Sequence, residues 1–237
     1  MSRRMPPATL LAEWVRPLTV EFIGPFALVF AGAGAIIADG DLVAVALAHG
    51  LAIGLFVMAA GHISGGLYNP ALTVGFVATG RLTPQKGAAY AAVQVLGGLA
   101  AAGLLAVAFD KDLWDPVNLG APQIASPFST GQAFLLEAVM TFFLMFVVFG
   151  VAVDKRSPKE IAGLAIGLTI TMDIFLGGAA TGAAMNPARA FGPALVANAW
   201  DDQWLYWAAP AAGAIVAALL YEYVIMGKGV GRQDKAA

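Results

Sequence analysis

Residues 65–76 read GGLYNPALTVGF, which sets a turn-forming Asn and a helix-breaking Pro inside one of the most apolar stretches of the chain. The same Asn-Pro-Ala returns at residues 186–188 within GAAMNPARAFG, so Asn69, Pro70 and Ala71 are matched by Asn186, Pro187 and Ala188. Asn is a strong N-cap, because its side-chain oxygen accepts from an orphan backbone N–H, and Pro fits the first helical turn. Each tripeptide therefore starts a helix, over roughly 69–80 and 186–198. At ~1.5 Å per residue, about 12 residues reach ~18 Å, roughly half of a ~30 Å hydrocarbon core. Neither helix can cross a bilayer.

A bilayer is nevertheless where the chain belongs. It has 59% apolar and 12% charged residues and a mean hydropathy of +0.78, far from the balance of an average soluble domain. Six nearly uncharged spans of membrane length stand at 17–38, 42–63, 87–109, 131–153, 161–180 and 204–226. Glu13 and Arg16 interrupt the apolar N-terminus, so no cleavable signal is expected. With no cysteine, disulfides and thiolate chemistry are excluded. Two histidines, His49 and His62, are little material for a metal site, and no catalytic cluster stands out. No cofactor, metal or enzymatic activity is expected. A net charge of −2 gives no reason to expect a nucleic-acid partner. With six alternating spans, Arg3, Arg4, Arg16, Arg81, Lys86, Lys155, Arg156, Lys159, Lys228, Arg232 and Lys235 share one side and only Lys111 falls in the opposite loops. Short cytoplasmic loops retain such charges, so both termini are placed in the cytoplasm. The expected location is the plasma (inner) membrane.

The two halves are copies. HGLAIGL at 49–55 matches AGLAIGL at 162–168, Glu21 matches Glu137, and Gly97 matches Gly213. Three spans per copy is an odd number, so the second copy, about 130–226, is inverted in the membrane relative to the first, about 12–109. The expected fold is all-α: one transmembrane channel domain over 1–237, with six transmembrane helices and two re-entrant half-helices approaching from opposite faces. Non-helical backbone survives at membrane depth only against protein or a water-filled cavity, so the lead-ins GHISGG and TGAA should line a lumen. The half-helix tips bring about +0.5 charge each to the midplane, together with the amides of Asn69 and Asn186. Cations and protons are opposed there, while water and small neutral solutes can pass. An inverted-repeat secondary transporter is the rival class, but it would need coupling carboxylates where this chain sets Asn against Asn.

SGGLYNPALT, MNPARAFGPAL, the paired membrane glutamates and the duplication resemble the aquaporin, or major intrinsic protein, family over residues 12–226. The resemblance implies an hourglass pore in each subunit and a homotetramer. It also implies an outer constriction formed by His49, Ile174, Ala183 and Arg189, a set that looks like plant tonoplast intrinsic proteins, several of which pass ammonia as well as water. Glycerol facilitators carry a different set around the Arg, so a glycerol or small-polyol facilitator is the alternative.

The expected lumen acceptors are the backbone carbonyls of Gly65, Gly66 and Leu67 on one side and Gly182, Ala183 and Ala184 on the other. Glu21 and Glu137, costly inside a membrane, are read as braces for the irregular backbone before each half-helix, with His62 bracing the inner loop. Asp173, beside Ile174, has no counterpart in the first copy; the outer vestibule, a polar neighbour and the water interface are all open to it. Mercury-sensitive relatives carry Cys where this chain has Ala183. Water flux through vesicles holding this cysteine-free protein should therefore be unchanged by mercurial reagents, as measured by light scattering before and after treatment.

Overall fold

The computed structural model describes residues 6–227, so Arg3, Arg4, Lys228, Arg232 and Lys235 of the charge pattern lie outside the described residues. Among the described residues, six helices are long and apolar enough to cross a membrane: α1 (Ala8–Ile37), α2 (Leu42–Ser64), α4 (Pro84–Ala108), α5 (Thr130–Val153), α6 (Lys159–Thr181) and α8 (Leu205–Ile225). Two short helices, α3 (Pro70–Ala78) and α7 (Pro187–Ala197), interrupt the series at the two Asn-Pro-Ala sites. At 9 and 11 residues they are half-helices.

The first crossing begins well before the expected residue 17. A π turn over Leu11–Val15, in which Arg16 N–H bonds Leu11 O, leads into Pro17. That wider turn makes room for a proline ring and its missing N–H, so the helix runs through a point where a strict i→i+4 ladder would break.

Helix α1 packs on α2 and α4, and α5 packs on α6 and α8, so each copy is a three-helix unit. The copies are joined where α2 runs along α6 and where each half-helix packs against the last long helix of the other copy, α3 on α8 and α7 on α4. The matched GLAIG segments form the α2–α6 seam. A Cβ on Gly54 would stand 2.9 Å from Gly163 O, and one on Gly167 would stand 3.1 Å from the Gly54 Cα. Lipid supplies no hydrophobic drive between helices, so association depends on such close backbone approach.

Small residues in α4 and α8 serve the same end. Gly97 faces the carbonyl of Phe22 and Gly213 the carbonyl of Ala138, each just after a brace glutamate, with no room for a Cβ in either place. At the end of the molecule bearing the α5–α6 loop, Arg81 Nε donates to Glu222 Oε2 at 2.6 Å, tying the chain after α3 to the end of α8. Beside it, hydrogen bonds from Arg156 hold the Asp154 carboxyl low, at about 2.

Gly97→Ala and Gly213→Ala should each cost about 1–3 kcal/mol by overpacking. Gly103→Ala, with no atom of the described residues within 4 Å of the added carbon, should be neutral; thermal unfolding midpoints in detergent check the difference.

Candidate functional site

Each half-helix is preceded by a chain that turns out of helical geometry in the same way. Gly65 (φ 102°) and Gly182 (φ 81°) cap α2 and α6 in left-handed conformation, and Gly66, Tyr68, Ala183 and Met185 also have positive φ. Glycine takes such angles freely. At Tyr68, Ala183 and Met185 they carry strain, which persists only where the surroundings over-determine it.

Glu21 and Glu137, both fully buried, do the over-determining. Glu21 accepts from Leu67 N (3.1 Å), Tyr68 N (2.8 Å), Ser64 Oγ (2.6 Å) and Gln94 Nε2 (2.7 Å). Glu137 accepts from Ala184 N (2.9 Å), Met185 N (2.7 Å) and Thr181 Oγ1 (2.7 Å). The hydroxyl at the base of each bend also accepts from the next loop N–H: Ser64 Oγ from Gly66 N and Thr181 Oγ1 from Ala183 N, both at 3.1 Å. A tyrosine closes each bend, Tyr90 Oη donating to Ser64 O and Tyr206 Oη to Thr181 O.

His62 takes no part. It lies exposed on α2, and Ser64 occupies the bracing position expected for it, because the side chain two residues further along is the one that faces Glu21. Ser64, Thr181, Tyr90 and Gln94 were not singled out in the sequence. The first pair sits 117 positions apart and Tyr90 sits 116 before Tyr206, the repeat spacing already set by Asn69 and Glu21. Gln94 has no such signal, since Pro210 stands at the matching position.

This bracing sets the direction of the carbonyls. In a trans peptide the N–H and the preceding C=O point opposite ways. With the N–H groups of 66, 67 and 68 turned to Ser64 and Glu21, the carbonyls of Gly65, Gly66 and Leu67 turn away from the brace; those of Gly182, Ala183 and Ala184 do the same in the second copy. Gly66, Leu67, Ala183 and Ala184 line one cavity, with Tyr68 and Met185 continuing the lining. Gly65 and Gly182 stand outside that lining, as helix caps.

At the middle the two copies meet. Asn69 Oδ1 accepts from Ala71 N and Asn186 Oδ1 from Ala188 N and Arg189 N, which fixes both amides as N-caps. Their nitrogens reach across: Asn69 Nδ2 donates to Met185 O at 2.8 Å and Asn186 Nδ2 to Tyr68 O at 2.9 Å. An amide nitrogen carries two hydrogens, so one on each Asn is left for the cavity that both residues line.

His49, Ile174, Ala183 and Arg189 line the same cavity. Arg189, 2% exposed, donates from Nε to His49 Nε2 at 2.9 Å, while His49 Nδ1 bonds Val45 O at 2.8 Å. Since Nε2 is the acceptor, the ring is the Nδ1–H tautomer. Arg189 Nη1 has no partner among the described residues. The rest of the wall is apolar, including Leu28, Ile53, Leu144 and Ile170. Asp173 is 1% exposed, neither of its oxygens has a hydrogen-bond partner among the described residues, and it is absent from the cavity lining.

A six-helix inverted repeat with two half-helices joined tip to tip beside a lined cavity is the aquaporin fold. The chain belongs to the major intrinsic protein family, whose model matches residues 10–221. It is 42% identical to "Aquaporin TIP4-4" of Zea mays, over 92% of this chain and 90% of that protein. It is 38% identical to "Nodulin-26" of Glycine max, over 89% and 78%. The X-ray structure of the aquaglyceroporin from Plasmodium falciparum superposes with a TM-score of 0.78 at 25% identity, covering 90% of this chain and 98% of that one. Its relatives are channels, not enzymes, and the protein is an integral, multi-pass membrane protein.

Replacing Glu21 or Glu137 by Ala would orphan three or four buried donors, at about 1–3 kcal/mol apiece. Both variants should unfold at markedly lower temperature in detergent than Glu13→Ala, whose side chain is exposed; equal midpoints would refute the brace.

Proposed function

We propose that the protein is a passive channel, a single domain of two inverted repeats, that passes water well, ammonia moderately and glycerol poorly and excludes protons and ions. The observation that carries this reading is the reciprocal pair of asparagine bonds, Asn69 to Met185 O and Asn186 to Tyr68 O. It holds two electropositive helix tips and two spare amide hydrogens in one narrow cavity. A water that accepts from both amides turns its own hydrogens outward, toward the carbonyls of Gly66 and Leu67 on one side and of Ala183 and Ala184 on the other. A proton wire through that water is broken, while water itself always has a partner.

The constriction of His49, Ile174, Ala183 and Arg189 sets the solute range. Ile174 removes a polar contact, Ala183 leaves space, and the buried charge of Arg189 repels cations. Only small neutral solutes match an aperture with one cation, one imidazole and an aliphatic wall. The protein works as a homotetramer with both termini cytoplasmic. In support, the outward face of α1 and α2 is apolar, with Ile23, Phe30, Leu51 and Leu55 exposed. Arg81 and Arg156 gather at the end where α8 finishes.

Stopped-flow light scattering on proteoliposomes tests the selectivity. Water should equilibrate with a low activation energy, ammonia more slowly, and glycerol close to the rate of bare lipid. Equal water and glycerol flux would make it a polyol facilitator, and saturable flux with a high activation energy would make it a carrier. Arg189→Val should raise proton or cation leak several-fold while leaving water flux high.

A further inference from the structure

The His49 imidazole lies between the lumen and α1, and what it meets on α1 is Gly32. A Cβ on residue 32 would stand inside the van der Waals envelope of three ring atoms, Nε2, Cδ2 and Cε1. The nearest of them is Nε2, the nitrogen that accepts from Arg189. Gly32 is buried in the middle of a helix with no positive φ, so no backbone conformation calls for glycine there. Glycine inside a helix is less favourable than Ala. The missing side chain is a notch, and the imidazole occupies it.

We infer that Gly32 is a positioning residue of the channel: by seating the His49 ring in α1, it sets both the aperture of the constriction and the orientation of Arg189. This rests on the reading of His49 and Arg189 as the constriction. The ring is held on its own helix by Nδ1 against Val45 O and pressed on one side by α1. A methyl group at position 32 forces it to move by about 1 Å to reach ordinary contact distance. The cavity that His49 lines is where space is open. In the proposed passage, that shift narrows the lumen. It also takes Nε2 from the Arg189 Nε–H, freeing a buried guanidinium whose direction this bond fixes.

Two readouts test the seat. In proteoliposomes, Gly32→Ala should lower water permeability about fivefold, as overpacking against a single-file lumen. Gly34→Ala on the same helix, whose added carbon would meet only Leu105 Cδ2 at 3.5 Å, should leave it unchanged. Added to His49→Ala, Gly32→Ala should have no further effect, because the ring it displaces is gone. Independently of flux, the ¹⁵N signal of His49 Nε2 in labelled protein, with His62→Gln removing the other histidine, should move in Gly32→Ala and stay in Gly34→Ala. An unchanged Nε2 signal, or an equal loss of water flux in the His49→Ala background, would overturn the proposal. Vesicles of the wild type that pass no water would sink the channel reading instead, and the Nε2 signal would still decide the seat. Should Gly32→Ala fail to fold, recovery of folding in Gly32→Ala/His49→Ala supports the notch and failure of both rejects it.

Discussion

Backbone that leaves helical geometry inside a bilayer has to find partners for its N–H groups within the protein, since hydrocarbon offers none. Two buried carboxylates meet that demand here. Glu21 and Glu137 each draw in two consecutive N–H groups and a hydroxyl. The directions of the main-chain polar groups in the cavity follow from that choice. Once the N–H groups face the glutamate, peptide planarity turns the carbonyls the other way. The chain then arrives at Asn69 and Asn186 in extended conformation, ready to cap a half-helix. The carboxylates are therefore walls of the passage without touching it.

The parts of this arrangement that could be read from the sequence are those where the same physical problem is posed twice. Asn-Pro-Ala, the paired glutamates and GLAIG recur at nearly constant spacing, and each has a local meaning: helix start, bilayer-buried acceptor, close helix contact. Ser64 and Thr181 recur at the same spacing but are different residues, and a lone hydroxyl near a helix end has many uses, so their shared task shows only when both are seen to point at a carboxylate. His62 misled for the opposite reason, being the more conspicuous residue two places away on the wrong face of α2. The early start of α1 was masked by Glu13, Arg16 and Pro17, which look like an end and turn out to be a π turn at the membrane margin. Gly32 gave no sign at all, since one more glycine among AGAGA means nothing until its neighbour across the interface is known.

The two copies differ most where they would be expected to do different work. Around α3, Thr73 and Gln94 bond each other and Gln94 adds a fourth donor to Glu21. At the matching places the second copy has Ala190 and Pro210, and its polar investment goes into Arg189, where the first copy has Leu72. A cation in the first turn of a helix opposes the helix dipole. Its burial is tolerated because His49 accepts one of its hydrogens. The inner half of the cavity is thus closed on itself through side chains behind the wall, while the outer half leaves Arg189 Nη1 buried without a partner among the described residues.

That division separates two tasks within one proposed passage. At the midplane the polar groups are main chain and capping amides, fixed by buried acceptors and by bonds between the copies. Moving any of them requires breaking the brace, so the proposed block to proton transfer would be built into the fold itself. At the constriction the polar groups are two side chains that meet from different helices and depend on a notch in a third. Such groups can be exchanged without disturbing the half-helices, because none of the brace bonds passes through them. On the proposed reading, solute range can therefore change by substitution around a fixed proton barrier, with residues 32, 49, 174, 183 and 189 carrying this chain's own setting.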